Sequence, residues 1–249
     1  MSEGVSMMPV VWIVSPDLNG NGIMTYQWGN NHGSLMKVKD QWYIFYHRQT
    51  GCNEFSRQAM VEPVDIALDK NGKIFIGKIK YENGEPVSSD VVDCTSQGFN
   101  LNGLDAFSLI SAGYTCHMYD GKGVPMYQDN AEGTNKDVRV AHVQPVYEGD
   151  SSPVVDIQSG ATIGFRYLNF GDKGAASATV NGSFPAGFEI KIRIDTYDGK
   201  IAASKRVEED SPELVFELSE KISGKHAVYF EFTCEDEEKR AVFDTFTFD

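Results

Sequence analysis

The residues whose types and spacing could support catalysis or ligand binding lie in three short segments in the first quarter of the chain. Asp17 opens the sequence DLNGNG, which matches the first half of a calcium-binding loop because oxygen-bearing side chains alternate along it. Such a loop also needs a glutamate at its twelfth position, and this chain has Trp28 there. The segment is therefore interpreted as a Gly- and Asn-rich connection.

His32 lies in the second segment, WGNNHGS, directly before an aromatic run. A single histidine at a polar strand entry is by default a hydrogen-bonded structural residue. The alternative is a histidine at a central cavity that touches a metal ion or its waters. The sequence leaves both interpretations open.

The third segment places Arg48 and Arg57 close to Glu62, beside aromatic residues. Guanidinium groups donate hydrogen bonds to sugar hydroxyls and stack on rings, which would suit a carbohydrate site. An arginine near a glutamate is also typical of a partly buried structural ion pair. Residue type alone favours the structural interpretation.

Composition excludes several classes of function. The chain has 249 residues and a net charge of −14, which argues against nucleic acid or anionic membrane as a partner. Its longest apolar run, Met7–Val14, is far shorter than the roughly 20 residues that span a bilayer. No basic residue precedes this run, so no signal peptide is predicted. The chain as it stands is expected to be cytoplasmic, although a truncated copy of a secreted protein would share these features.

The elements that must position these residues are strands. Aromatic and β-branched runs separated by Gly, Asn and Asp turns predict an all-β fold, and no window carries a long helical period. Four scattered cysteines without a C-x-x-C pair indicate free, largely buried thiols. The predicted strands are Gln41–Arg48, Lys73–Lys80, Thr162–Asn169, Phe188–Thr196, Leu214–Leu218, His226–Thr233 and Ala241–Phe248.

Two domains are predicted. The segment Tyr119–Thr134 is rich in Gly, Asp and Asn and is interpreted as a connection between them. The boundaries are 1–118 for the first domain and 119–249 for the second. The evenly spaced short strands of the second domain are typical of a β-sandwich. Its acidic runs, 207–213 and 234–238, are interpreted as solvated faces.

Three motifs of the first domain carry a resemblance to a known family. The stretches GNNHGSL (29–35), WYIFYHR (42–48) and FSRQAMVEP (55–63) resemble the last part of the catalytic domain of glycoside hydrolase family 43, and DCTSQG (93–98) resembles the strand that follows. Residues 160–249 resemble a carbohydrate-binding module of family 6. The resemblance implies the last blades of a five-bladed β-propeller followed by a β-sandwich of the jelly-roll type.

The resemblance also implies roles for single residues. Arg57 matches an arginine that contacts sugar where the bond is cut, and His32 matches a histidine at the central cavity that helps to hold calcium or another ion through water. The family's catalytic acid and base lie upstream of GNNHGS, and we expect this chain to lack them. Glu62 matches no catalytic position. Asp244 is a candidate ligand for a structural calcium ion in the sandwich.

Three hypotheses remain open from the sequence. One is the C-terminal portion of an inverting glycosidase, a xylosidase or arabinofuranosidase acting on xylan or arabinoxylan, that is catalytically incomplete by itself. Another is an assembly in which a second polypeptide supplies the missing blades and the pair is active. The alternative is a stand-alone carbohydrate-binding β-sandwich without catalysis. Against the alternative, loop 207–213 contains no Trp or Tyr and loop 234–240 no Asn, although family 6 modules use such residues to bind sugar.

Overall fold

The structure, a computed structural model, describes residues 13–16, 22–23, 33–49, 57–90, 92–119, 142–143 and 151–249. Within these ranges the regular elements are strands and one short 3₁₀ helix, Ala112–Tyr114. None of the helical turns described there has the length and hydrophobicity that a bilayer crossing requires. The all-β prediction is confirmed.

The strands run in the following order: β1 (Ile13–Pro16), β2 (Gly22–Ile23), β3 (Gly33–Val38), β4 (Gln41–Gln49), β5 (Arg57–Leu68), β6 (Ile74–Glu82), β7 (Glu85–Asp90), β8 (Val92–Asp93), β9 (Leu104–Asp105), β10 (Ile110–Ser111), β11 (His117–Tyr119), β12 (His142–Val143), β13 (Val154–Ile157), β14 (Thr162–Asn169), β15 (Ala175–Phe184), β16 (Glu189–Ile194), β17 (Ile201–Arg206), β18 (Ser211–Ile222), β19 (Lys225–Thr233) and β20 (Ala241–Phe248).

The five-stranded sheet is an open antiparallel meander in the order β3-β4-β5-β6-β7. Tight turns join β3 to β4, β5 to β6 and β6 to β7. In the turn after β5, the Asp69 carboxylate accepts hydrogen bonds from the backbone N–H groups of Asn71 and Lys73, at 2.8 and 2.9 Å, and Gly72 adopts a φ of 81°. The sequence DKNG specifies this turn because Asp caps it and Gly tolerates the left-handed conformation. The assignment of the meander to propeller blades stays a prediction.

The second part of the chain is a sandwich of two sheets. One sheet has the order β12-β13-β20-β15-β18, with β10 also paired to β20, and the other has the order β11-β14-β19-β16-β17, with β9 also paired to β14. Strands β9 and β10 precede the predicted boundary between 118 and 119 and β11 spans it, yet all three hydrogen bond within the sandwich sheets. The division into two domains stays a prediction.

Phenylalanines fill the space between the two sandwich sheets. Phe165 and Phe230 come from one sheet, and Phe243 and Phe246 from the other, and all four are fully buried. Their rings interlock, with centroids 4.6 Å apart for Phe165 and Phe246 and 4.8 Å for Phe230 and Phe243. Such close, tilted ring pairs add to the stabilisation from apolar burial. This core is separate from a small cluster, Val64, Ile76 and Val92, under the meander.

The cysteine and charge interpretations are confirmed where the structure describes them. Cys94 and Cys116 are buried thiols outside any disulfide bond, and Cys234 is a partly exposed thiol that also forms no disulfide. The acidic side chains of 208–210 and 235–238 are exposed, as expected for solvated loops. Cys52 lies outside the described residues.

Candidate functional site

The residues predicted to contact sugar fall at or beyond the limits of the described structure. His32, predicted for both substrate and metal binding, lies outside the described residues. Arg57 begins β5, where its backbone pairs with Gln49 of β4, and its side chain lies outside the described part. Their predicted roles stay predictions.

Asp244, the predicted calcium ligand, lies on β20 of the sandwich. One carboxylate oxygen accepts a hydrogen bond of 2.6 Å from the hydroxyl of Ser151. Calcium takes six to eight oxygen ligands, usually with several carboxylates. The described residues contain no group of three or more His, Cys, Asp or Glu side chains placed to hold a metal ion. Asp244 and its described neighbours therefore do not by themselves fit a calcium site.

Glu62 is the centre of a buried polar cluster in the meander. It occupies an inward position on β5 between Met60 and Val64, and its relative exposure is 2%. Oε1 accepts hydrogen bonds from the Thr95 hydroxyl at 2.7 Å, the Thr95 backbone N–H at 3.2 Å and the Tyr46 hydroxyl at 3.2 Å. A buried carboxylate needs such donors. This geometry supports the structural interpretation of Glu62.

Residues 94–97, with the sequence CTSQ, link this cluster to the sandwich, and we refer to them as the joint segment. All four residues are buried. Thr95 binds Glu62 of the meander, while the backbone N–H of the next residue, Ser96, donates to the carbonyl oxygen of Arg166 in β14. In return, the Arg166 N–H donates to the Ser96 hydroxyl at 3.2 Å. Two consecutive residues of the joint segment thus hydrogen bond to the meander on one side and to the sandwich on the other.

A second buried polar group lies on the sandwich side of the joint segment. The Arg166 Nε donates to the thiol of Cys116 at 3.3 Å. The ring of His117 meets Tyr229 edge-on, with centroids 5.5 Å apart. Burial, and then the nearby charge of Arg166, lowers the pKa of His117 to about 3. Burial likewise raises the pKa of Tyr229. Both side chains are therefore uncharged at neutral pH.

Gly164 makes this packing possible. It lies on β14 between His117 of β11 and Tyr229 of β19 in the strand register. A Cβ atom at this position would lie 2.5 Å from two carbons of the Tyr229 ring. Strand β14 is buried on both faces here, since Ile163 and Phe165 face the phenylalanine core while Gly164 and Arg166 face the joint.

The sequence analysis did not predict the buried polar contacts between the joint segment and the sandwich, although one signal was present. Arg166 stands in an otherwise mostly apolar strand, TIGFRYLN, and a charge in such a position predicts a buried polar contact. His117 and Thr95 carry no comparable local signal. The joint groups are almost fully buried, so their chemistry is that of structural support.

The sandwich loops 207–213 and 234–240 converge at one end of the fold. The Ala186 backbone N–H donates to the Asp210 carboxylate at 2.8 Å, and the Lys239 ammonium donates to the Ala186 carbonyl oxygen. Acidic side chains dominate this end. Aromatic rings, on which pyranose faces would stack, are absent from 207–213 and 234–240.

The fold thus defines an all-β chain with a phenylalanine-filled sandwich joined to an antiparallel meander. No family model matches the chain. It is 27% identical over 210 residues to a xylosidase/arabinosidase from Thermoclostridium stercorarium. The aligned region covers 83% of this chain and 40% of the relative. The chain therefore spans less than half the length of this curated relative.

Two solved structures are also similar to the chain. A glycoside hydrolase family 43 arabinoxylan arabinofuranohydrolase from Bacillus subtilis, in complex with cellotetraose, shares 19% identity with a TM-score of 0.46 over 95% of this chain and 43% of its own. The module CsCBM6-3 from Clostridium stercorarium, in complex with cellobiose, shares 19% identity with a TM-score of 0.44 over 60% of this chain and 98% of its own. The match to the curated relative bears out the resemblance that the sequence motifs indicated.

Proposed function

We propose that this chain forms the C-terminal portion of a glycosidase that hydrolyses O-glycosyl bonds of xylan or arabinoxylan with inversion. The observation that carries the proposal is the 27% identity to a xylosidase/arabinosidase along 83% of the chain. In this proposal, residues 1–118 contribute the last blades of a propeller and residues 119–249 a jelly-roll sandwich. Arg57 and His32 contribute to the sugar site from the blades.

The catalytic acid and base are proposed to come from outside this chain. Inverting hydrolysis needs two carboxylates, one to activate water and one to protonate the leaving oxygen. Among the described residues, Glu62 is a buried carboxylate at the centre of the meander, and its Oε1 already accepts three hydrogen bonds. A second polypeptide that supplies the missing blades would complete the enzyme.

Hydrolysis of aryl glycosides tests this proposal. The purified chain, folded by circular dichroism, should release no nitrophenol from aryl β-xyloside or aryl α-arabinofuranoside. Turnover that is abolished by Arg57→Ala would show that the chain assembles a working site by itself. The proposal that the acid and base lie elsewhere would then be wrong.

The alternative is a carbohydrate-binding protein without catalysis. One observation favours it: the sandwich has its own large core, separate from the small cluster under the meander, and so has the means to fold as a binding module. Retardation of the chain in gels that contain xylan, without hydrolysis of any aryl glycoside, would support this alternative.

A structural calcium ion in the sandwich with Asp244 as a ligand stays a proposal, and it would need oxygen ligands beyond those that the described residues place around Asp244. Any binding of a ligand to the folded state alone raises the melting temperature. Calcium should therefore raise the melting temperature of the wild-type chain and not that of Asp244→Asn. Equal shifts in both proteins would remove Asp244 from the proposal.

A further inference from the structure

The segment from Gln97 to Gly103, with the sequence QGFNLNG, is a surface loop with a defined backbone; we refer to it as the QGFNLNG loop. Two successive turns shape it: the Asn100 N–H donates to the Gln97 carbonyl oxygen and the Gly103 N–H donates to the Asn100 carbonyl oxygen, each at 2.9 Å. Gly98 and Gly103 have φ values of 59° and 93°, which glycine adopts readily.

Both parts of the fold hold this loop in place. On the meander side, the Val61 N–H of β5 donates to the Gly98 carbonyl oxygen at 3.3 Å. On the sandwich side, the Lys225 ammonium donates to the Leu101 carbonyl oxygen at 2.9 Å. A Cβ atom on Gly103 would lie 2.9 Å from the Tyr167 carbonyl oxygen, so the backbones of the loop and β14 are in close contact. The loop is therefore preorganised.

The loop presents apolar side chains to solvent. Phe99 is 62% exposed and Leu101 is 38% exposed. The Phe99 ring contacts only part of the Phe45 ring, with centroids 6.1 Å apart. A phenylalanine ring that is exposed on a fixed loop is available to stack against a ligand.

Polar groups that suit a sugar surround these side chains. Asn100 and Asn102 are exposed beside Phe99 and Leu101, and an asparagine amide offers both donors and an acceptor. Beyond Leu101, the Lys225 ammonium lies 4.9 Å from the centroid of the Tyr167 ring. Apolar rings match the C–H faces of pyranoses, and amides match their hydroxyl edges.

Charge and size indicate the kind of occupant. The loop itself carries no formal charge in a chain of net charge −14, and the neighbouring Lys225 ammonium already donates to the Leu101 carbonyl oxygen, which favours a neutral ligand over an anionic one. A stable protein interface buries about 800 Å² on each partner. Two exposed apolar side chains offer much less than that, but they match the face of one or two sugar rings.

We propose that the QGFNLNG loop is a binding subsite for a neutral β-linked polysaccharide of the xylan type, with Phe99 as the stacking platform and Asn102 as a hydrogen-bonding partner. This inference rests on the proposed carbohydrate function and adds a site to it. The site lies between the meander and the sandwich, away from the loops 207–213 and 234–240. A glycan held there would contact both parts of the fold.

Affinity electrophoresis in gels that contain soluble arabinoxylan tests the subsite. Phe99→Ala should weaken retention about tenfold, which corresponds to about 1.4 kcal/mol. Leu109→Ala is the matched control because Leu109 is 67% exposed outside the loop, and its retention should equal that of the wild type. Asn102→Ala should weaken retention by a smaller factor.

Each outcome bears on the inference. If the wild type is retained and Phe99→Ala matches Leu109→Ala, the subsite is wrong while the proposed function stands. If the wild type is not retained at all, both the subsite and the carbohydrate-binding alternative are wrong. Stronger retention on polygalacturonate than on arabinoxylan would overturn the neutral ligand. A wild-type dimer that Phe99→Ala converts to monomer in sedimentation would make the loop a protein interface and overturn the subsite.

Discussion

Acidification should destabilise the fold through His117. Burial against Tyr229, together with the charge of Arg166, lowers the pKa of this imidazole from 6.5 to about 3. Unfolding restores the ordinary value. Between pH 6.5 and about 3 the unfolded chain therefore binds more protons than the folded chain. The contribution of a neutral His117 to stability is complete above pH 6.5 and is lost progressively as the pH falls.

The size of the effect follows from the difference in pKa. One pKa unit corresponds to about 1.4 kcal/mol. Between roughly pH 7 and pH 5, proton uptake by the unfolded ring alone should lower the free energy of unfolding by about 2 kcal/mol. A comparison with a variant at position 117 separates this contribution from that of the other titrating groups.

Urea unfolding followed by circular dichroism measures this slope in the wild type and in His117→Gln. The variant should be less stable at neutral pH because it disturbs the packing on Tyr229, but its stability should change by about 2 kcal/mol less over the same window. Leu109→Ala, at an exposed side chain without a titratable group, should keep the wild-type slope. Equal slopes for His117→Gln and the wild type, or a His117 ring that titrates near its ordinary pKa by NMR, would refute the reasoning.

Three further predictions concern stability. Glu62→Ala should cost about 2–3 kcal/mol in chemical denaturation, since it removes the acceptor of the buried Thr95 hydroxyl and backbone N–H. Lys200→Ala, which breaks the exposed pair with Glu220, should change stability by less than about 1 kcal/mol in the same assay; an equal loss in both variants would contradict the special role of Glu62. Gly164→Ala should lower stability by about 1–3 kcal/mol because its Cβ meets the Tyr229 ring. In the double variant with Tyr229→Ala the two losses should be less than additive, and full additivity would argue against that clash.

Local patterns predicted the strands whose residues alternate or are continuously apolar. The predicted bounds of β14 and β20 agree with the structure at both ends, and β18 extends from Ser211 to Ile222 beyond its predicted core of 214–218. Strand β15 was not predicted because AASATVNGSF is rich in small residues and has a weak β propensity. It forms because β18 and β20 pair with it on both sides.

The joint between the two parts of the fold was beyond local prediction. Glu62 meets Thr95 across 33 positions in the chain, and Arg166 meets Ser96 across 70. Only the packed sheets bring these groups together. The sequence CTSQ lies in a stretch that resembles glycoside hydrolase family 43, but no local pattern predicts that it links β5 to β14. Its hydrogen bonds to Glu62 and Arg166 are seen only in the structure.

The phenylalanine core of the sandwich has a spectroscopic consequence. All three tryptophans of the chain, Trp12, Trp28 and Trp42, precede the sandwich in sequence, and Trp42 packs on the small cluster under the meander. Tryptophan fluorescence therefore reports on the first part of the chain. The sandwich contributes no tryptophan fluorescence, because the aromatic residues after residue 150 are phenylalanine and tyrosine. A tryptophan emission change at lower urea than the loss of β-sheet circular dichroism would show that the meander melts first. Coincident transitions would show that the joint segment makes the two parts unfold as one unit.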